Sequence, residues 1–446
     1  MRAALQRKPV VLFSSYRAVL RAPHACRTFG AALLGRLSYG MVSLSLLLAV
    51  KDATGSYRTA GTVMAVFGLA SVSLSPVRAR LVDRFGPRRA LVPMAGAYAL
   101  LLTALALLTW RPGAAGSALV ALAAVAGCCT PPLGPVMRAL WSTLVPDRLM
   151  LQRAYSLDGV AEELLYVSGP LLVGLLVRGA VPAAGVAASA ALVLVGTLAL
   201  VSSPVARSLP GSTGARAPGE RPDASAGPPA PERRRSWSSG LGGVVVVAMG
   251  VGAGLGGLDL LVVAFADQRH QPGAAPWVLA ALSTGSALGG LAYGAVGWRL
   301  PGRQRLVLIA AGLAVSLAAA GLAANAYVLA VLAALAGVFI APAITTAYLI
   351  ADESVDPAHR IRAGAWINTA LNAGTAGGAA AVGLLLGRLP VAGCFVWAGA
   401  LVLLSALTIV AAERLRPHRT RAGAGMPVGK EPKAEAEAEA EMVART

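Results

Sequence analysis

Arg80-Leu81-Val82-Asp83-Arg84-Phe85-Gly86-Pro87-Arg88-Arg89 decides how the rest of the chain is read. It holds five charges in ten residues, between two apolar runs each long enough to cross a bilayer. A segment of this kind has to reverse the chain at a membrane face within a few residues. Gly86 supplies the backbone freedom a tight turn requires. Pro87 suits the opening of the next helix, where no amide donor is missed. Asp83 has three possible partners: Arg84, Arg88, or the positive N-terminal end of a neighbouring helix.

The composition agrees with this reading. Of 446 residues, 56% are hydrophobic and 13% charged, and the mean hydropathy is +0.67. That is too apolar for a soluble protein of this size, so the class is integral membrane. Cys26, Cys128, Cys129 and Cys394 have neither metal nor disulfide spacing and read as small hydrophobes. His24, His270, His359 and His418 are scattered outside the spans, so no intramembrane metal cluster and no cofactor are expected. The first apolar run, 29–50, is too long for a signal-peptide core.

Further runs fall near 58–78, 90–110, 116–138, 154–177 and 181–202. A second set falls near 240–265, 276–297, 306–324, 326–350, 361–386 and 390–412. Most have the ~20 residues that cross a ~30 Å hydrocarbon core. Twelve spans with both termini cytoplasmic place 32 of the 39 Lys and Arg residues on the cytoplasmic face, six on the other, and Arg36 inside a span. That is the positive-inside pattern. The net charge of +19 is therefore topology, and no nucleic-acid partner is expected. Residues 1–28 form a basic N-terminal segment in which 16–21 reads as a short surface helix. Residues 203–238, rich in Pro, Gly, Ala and Ser, read as a flexible linker between bundles at 29–202 and 239–412. The tail 413–446, with its Glu-Ala repeat, reads as disordered or a solvated helix.

The two halves echo one another. At an offset of 210, Pro132 falls on Pro342, Asp158 on Asn368 and Glu162 on Asn372. The stretch 294–305 is a degraded echo of the first-half charged turn, with Trp298 where the acid would stand. The charged turn resembles the signature between helices two and three of the major facilitator superfamily, Gly-x-Leu-x-Asp-Arg-x-Gly-Arg/Lys-Arg/Lys. Leu81, Asp83, Arg84, Gly86 and Arg88 match, whereas Ala79 and Pro87 depart from it. The resemblance implies an all-α membrane protein of twelve transmembrane helices in two pseudo-symmetric six-helix bundles. It also implies that Asp83, Arg84, Gly86 and Arg88 act in switching. Gly169-Pro170-Leu171-Leu172-Val173-Gly174 partly matches the Gly-Pro-x-x-Gly-Gly motif of the family's antiporters, with Val173 in place of a glycine. Gly169, Pro170 and Gly174 would give close helix approach and a bend. This match tilts the reading toward export.

Charges inside a span are candidates for function because each is costly to bury. Arg36 and Glu162 lie seven and eight residues into the first and fifth spans, both roughly 10–12 Å deep. An Arg36–Glu162 pair is sterically plausible, and a structural lock and a transport role fit it equally. Glu162 is the carboxylate expected to carry a proton. Asp158, four residues earlier on the same face, is expected to lie nearer the interface and to be better solvated. Glu163 points about 100° away. Asn368 and Asn372 repeat the i, i+4 spacing and are expected across a central cavity from the acids. Pro131 and Pro132 in the fourth span, and Pro342 in the tenth, mark bends or breaks. Arg138 reads as snorkelling to the cytoplasmic interface, and Asp259 as partly solvated near the outer face.

No phosphate-binding loop or nucleophile–base set occurs, so an ATP-driven pump and an enzyme are both disfavoured. The expectation is a monomeric secondary transporter in the plasma membrane. It would move a small molecule by alternating access, most simply as efflux coupled to protons. An importer is the alternative, and a non-transporting membrane sensor or scaffold is a more distant one.

Overall fold

A computed structural model describes residues 16–145, 147–208, 236–386 and 388–414. Twelve helical spans follow one another: α1 (Ala25–Thr54), α2 (Tyr57–Ser73 and Ser75–Phe85), α3 (Pro87–Thr109), α4 (Gly116–Cys129 and Leu133–Leu144), α5 (Arg148–Val177), α6 (Ala183–Val201), α7 (Ser236–Gln268), α8 (Ala275–Ala295), α9 (Gly302–Ala320), α10 (Ala326–Glu353), α11 (Arg360–Leu385) and α12 (Val391–Arg414). Ten are long and apolar enough to cross a membrane, eleven with the bent pair of α2. The remaining one, α11, is diluted by Arg362, Asn368 and Asn372. It is covered by other helices on the face that packs on α7. The spans form one compact unit ending at Ile409, beyond which only 410–414, the last turn of α12, is described.

Ordinary end chemistry starts the helices. Ser56 accepts the Thr59 amide, Asp147 the Met150 amide and Asn325 the Val328 amide, each satisfying a donor with no partner inside its own helix. Proline explains the interruptions. α2 bends by 43° around Leu74, where Pro76 follows in the next turn. α4 breaks at Thr130–Pro132 and restarts with Pro132 as its cap. Pro342, by contrast, leaves α10 continuous. The Val338 carbonyl that would have bonded its missing N–H lies where Gly289 of α8 approaches closely.

The packing repeats with the two-fold. Within the first half α1 lies against α5 and α6, and α2 against α4; within the second α7 lies against α11, and α8 against α10. Across the halves α2 meets α11 and α5 meets α8, which is one relationship seen twice. Small residues make the closest approaches. A side chain at Gly169 would run into the backbone of Gly40, and one at Gly378 into that of Ala253. In membranes such approaches supply van der Waals contact that lipid cannot. Gly174 has open space around it, so the close approach of α5 rests on Gly169 alone, and exposed Pro170 sits in an unbroken helix.

Three local readings are corrected. The charged turn is not a few residues long but one: helix continues to Phe85 and restarts at Pro87, with Gly86 alone turning the chain at φ 82°. The segment 16–20 is not a surface helix, since Val19 is fully buried and the Tyr16 hydroxyl donates to the Leu291 carbonyl at 2.6 Å. The start of the presumed linker is packed rather than free. Ser203 is buried with its hydroxyl 2.7 Å from that of Thr28, and Ala206 of the short helix Pro204–Ser208 is buried too. The rest of that linker, 209–235, and the tail from 415 lie outside the described residues.

Candidate transport site

Two arginines and two acids meet where α1, α4 and α5 converge. Arg36 reaches Asp158 at 2.7 Å and Glu162 at 2.9 Å. Arg138 reaches Asp158 at 3.1 Å and the same Glu162 oxygen at 2.5 Å. The four formal charges cancel, so each acid has two cationic partners and each guanidinium two anionic ones. Such a network offsets desolvation far better than a single pair. The break in α4 matters here, because Leu133–Leu144 carries Arg138 inward. The Arg138 guanidinium lies 3.9 Å from the ring centre of Tyr348 on α10, a cation–π contact between positions related by the offset of 210.

This geometry revises three sequence readings. Arg138 does not snorkel to an interface; it is 5% exposed and belongs to the network. Asp158, expected to be the better solvated acid, is fully buried, whereas Glu162 keeps 27% of its side chain open to a cavity. The partner of Arg36 is therefore an acid pair rather than Glu162 alone. The reversal arises because Arg36 and Arg138 enclose Asp158 while Glu162, one turn on, faces the cavity, so counting residues from one face does not measure access to water.

The cavity beyond the network has two lobes that share Glu162, Tyr166, Asn368 and Asn372. One, of about 340 Å³, is lined by Arg36, Tyr39, Arg78 and Tyr98. The other, of about 500 Å³, is lined by Glu163, Asp259, Ser283 and Ser286. Asn368 and Asn372 face the acids across this space, and the Asn372 amide donates to the Asn368 carbonyl of its own helix at 2.8 Å. Glu163 accepts a hydrogen bond from the Ser286 hydroxyl of α8. Asp259 is exposed to the cavity. Among the described residues no three His, Cys, Asp or Glu side chains are grouped to hold a metal ion.

At the arginine-rich ends the halves are tied together. An Asp83 carboxylate oxygen accepts the backbone N–H of Arg362 at 3.0 Å, in the first turn of α11. Arg84 lies 5.2 Å from the ring centre of Phe85, and Arg88 is exposed. Gln152 of α5 donates to the carbonyls of Tyr293 and Val296 at 2.8 and 3.0 Å and accepts from Arg305 at 3.1 Å. Arg360 reaches Asp352 at 3.1 Å and the Ser142 hydroxyl at 2.8 Å. Arg148 meets Glu353 at 2.8 Å.

Sequence reasoning did not single out Arg78 or Gln152. Arg78, 6% exposed, donates to the carbonyls of Ser71, Gly127 and Cys128. It thus satisfies backbone groups freed by the α2 bend and the α4 break. Its signal in the sequence was an arginine just after a bend-forming Ser-Pro pair and opposite a Pro-Pro break. Gln152 gave no signal, since a lone amide beside an arginine near a helix start reads as surface.

Two six-helix repeats around a central polar cavity define a membrane transporter fold. The sequence profile of the Major Facilitator Superfamily matches residues 28–270 and 243–438, and the chain belongs to that family. No curated protein sequence matches the chain. Among solved structures it is similar to the human organic anion transporter MFSD10 (TETRAN), with a TM-score of 0.65 at 16% identity, covering 87% of this chain and 100% of that one. It is also similar to a bacterial homologue of the iron transporter ferroportin in an outward-facing state, with a TM-score of 0.67 at 15% identity, covering 87% and 99%. At such identities the likeness concerns the fold.

Proposed function

We propose that this protein is a proton-coupled exporter of a small molecule, acting as a monomer in the plasma membrane with both termini cytoplasmic. The observation that carries the reading is Glu162. It is held by two arginines yet is the acid of the charge network that opens to the cavity. When the bundles rock and the network hydrates, a carboxyl in that position can exchange an arginine partner for a proton. Asp158, sealed beneath it, keeps the bundle together. Asn368, Asn372 and the cavity walls bind the substrate. Asp83, Arg84, Gly86 and Arg88 form the latch that holds the arginine-rich ends together, and these ends are assigned to the cytoplasm by the distribution of Lys and Arg. The segments 209–235 and 415–446 serve as linker and tail on that face. The partial Gly-Pro motif around Gly169 supports export over import.

The test begins with a ligand screen by thermal shift on purified protein. Any hit is then followed in proteoliposomes under an imposed pH gradient. Wild type should accumulate the hit against its gradient. Glu162→Gln should lose the accumulation yet keep counterflow, which needs no net proton movement. Gradient-driven accumulation by Glu162→Gln vesicles contradicts the assignment. Orientation is tested separately: a reporter at Gly273 should be external and one at Ala217 cytoplasmic.

A further inference from the structure

The larger lobe of the cavity carries an unbalanced charge. Four formally charged side chains line it: Arg138, Glu162, Glu163 and Asp259. The first two belong to the neutral network with Arg36 and Asp158. Glu163 and Asp259 remain, on α5 and α7, with no cation beside either among the described residues. Glu163 accepts from the Ser286 hydroxyl, and its second oxygen, Oε2, is buried without a hydrogen-bond partner among the described residues. Much of the remaining wall is apolar or aromatic, with Leu282, Ile340, Ile344 and Tyr166.

From this we infer that the lobe is a binding site for a bulky organic cation, with Glu163 and Asp259 as its counter-charges. A carboxylate facing a low-dielectric cavity without a cation stabilises whatever positive charge enters. Apolar walls favour a cation whose charge is carried on a hydrophobic body, and an aromatic face adds cation–π attraction. A volume near 500 Å³ suits a drug-sized molecule rather than a bare ion. No third ligand of the kind a divalent metal requires joins the two acids among the described residues. The inference rests on the transporter reading for its biological sense, but the site itself is defined by the cavity.

Tetraphenylphosphonium and tetraphenylborate test it directly, because they share size and shape and differ in the sign of charge. Equilibrium dialysis against the purified full-length protein should show saturable binding of the phosphonium and none of the borate. Glu163→Gln and Asp259→Asn should each weaken the phosphonium by about tenfold or more, while Glu163→Asp should restore most of it. Asp259 is exposed to the cavity, so Asp259→Asn is a variant that folds even if Glu163→Gln does not; the melting temperature of each verifies this. Equal binding of both ions, no saturable phosphonium binding, or undiminished binding in the folded Asp259→Asn protein overturns the proposal. Binding as described without phosphonium movement in vesicles would leave the site standing and count against the coupling mechanism. Gradient-driven transport of another compound with no phosphonium binding would do the reverse.

Discussion

The Asp83 carboxylate accepts the backbone N–H of Arg362, 279 residues further along the chain, at 3.0 Å. It therefore caps the first turn of α11 from the opposite half of the protein. The N-terminal end of a helix attracts negative charge, an effect worth ~0.3–1 kcal/mol when exposed and up to ~2 kcal/mol when partly buried. A tie of that size is strong enough to bias two conformations and weak enough to release.

Asp83→Asn keeps an acceptor atom but removes the charge, so the tie weakens without disappearing. Transport of a hit compound should fall severalfold while its affinity changes little, and opening at the arginine-rich face should become more frequent. Thiol labelling of a Ser156→Cys reporter in a cysteine-free background reads that opening, because Ser156 is buried against Gly294 where the halves meet. A large loss of affinity with normal turnover would contradict the latch role.

Gln152 should matter more than the Arg148–Glu353 ion pair. Gln152→Ala removes three hydrogen bonds across the halves and leaves the buried Arg305 without its side-chain partner, at a cost of ~1–3 kcal/mol in the closed state. The Ser156→Cys reporter should label faster. Arg148 and Glu353 are 67% and 43% exposed, so Glu353→Gln should change stability by less than ~1 kcal/mol and labelling hardly at all.

Within the charge network, Arg36→Ala should destabilise the protein by ~3–5 kcal/mol, because it removes one partner from a fully buried acid. Adding Asp158→Asn should recover more of the melting temperature than adding Glu162→Gln. Glu162 still has Arg138 and partial access to the cavity, whereas Asp158 has no access. Equal recovery by the two second changes would show that burial does not rank these acids.

Gly169→Ala should be severe and Gly174→Ala mild. A methyl group at Gly169 overlaps the Gly40 backbone and pushes α1 and α5 apart, costing ~1–3 kcal/mol or more. At Gly174 it meets nothing, and the substitution should be neutral or stabilising by ~0.4–1 kcal/mol through the unfolded chain. Thermal melts in detergent compare them.

The sequence alone determined the class, the span count and the repeat. Hydrophobic runs of about bilayer length, and arginines on alternate connections, are local properties that the bilayer imposes whatever the helices later touch. It also pointed to Asp83 and the helix end as one possible pairing, and to Arg36, Asp158 and Glu162 as charges needing partners. Only the tertiary structure decided which pairing forms. Asp83 bonds a backbone amide 279 residues away. Arg138 turns inward because a proline break re-aims half of α4. Asp158 is sealed between Arg36 and Arg138 of two neighbouring helices, while Glu162, one turn on, faces the cavity between the halves. Depth along a helix follows from residue number at 1.5 Å per step. Access to water depends on what packs across from it, and that is a long-range property no single helix encodes.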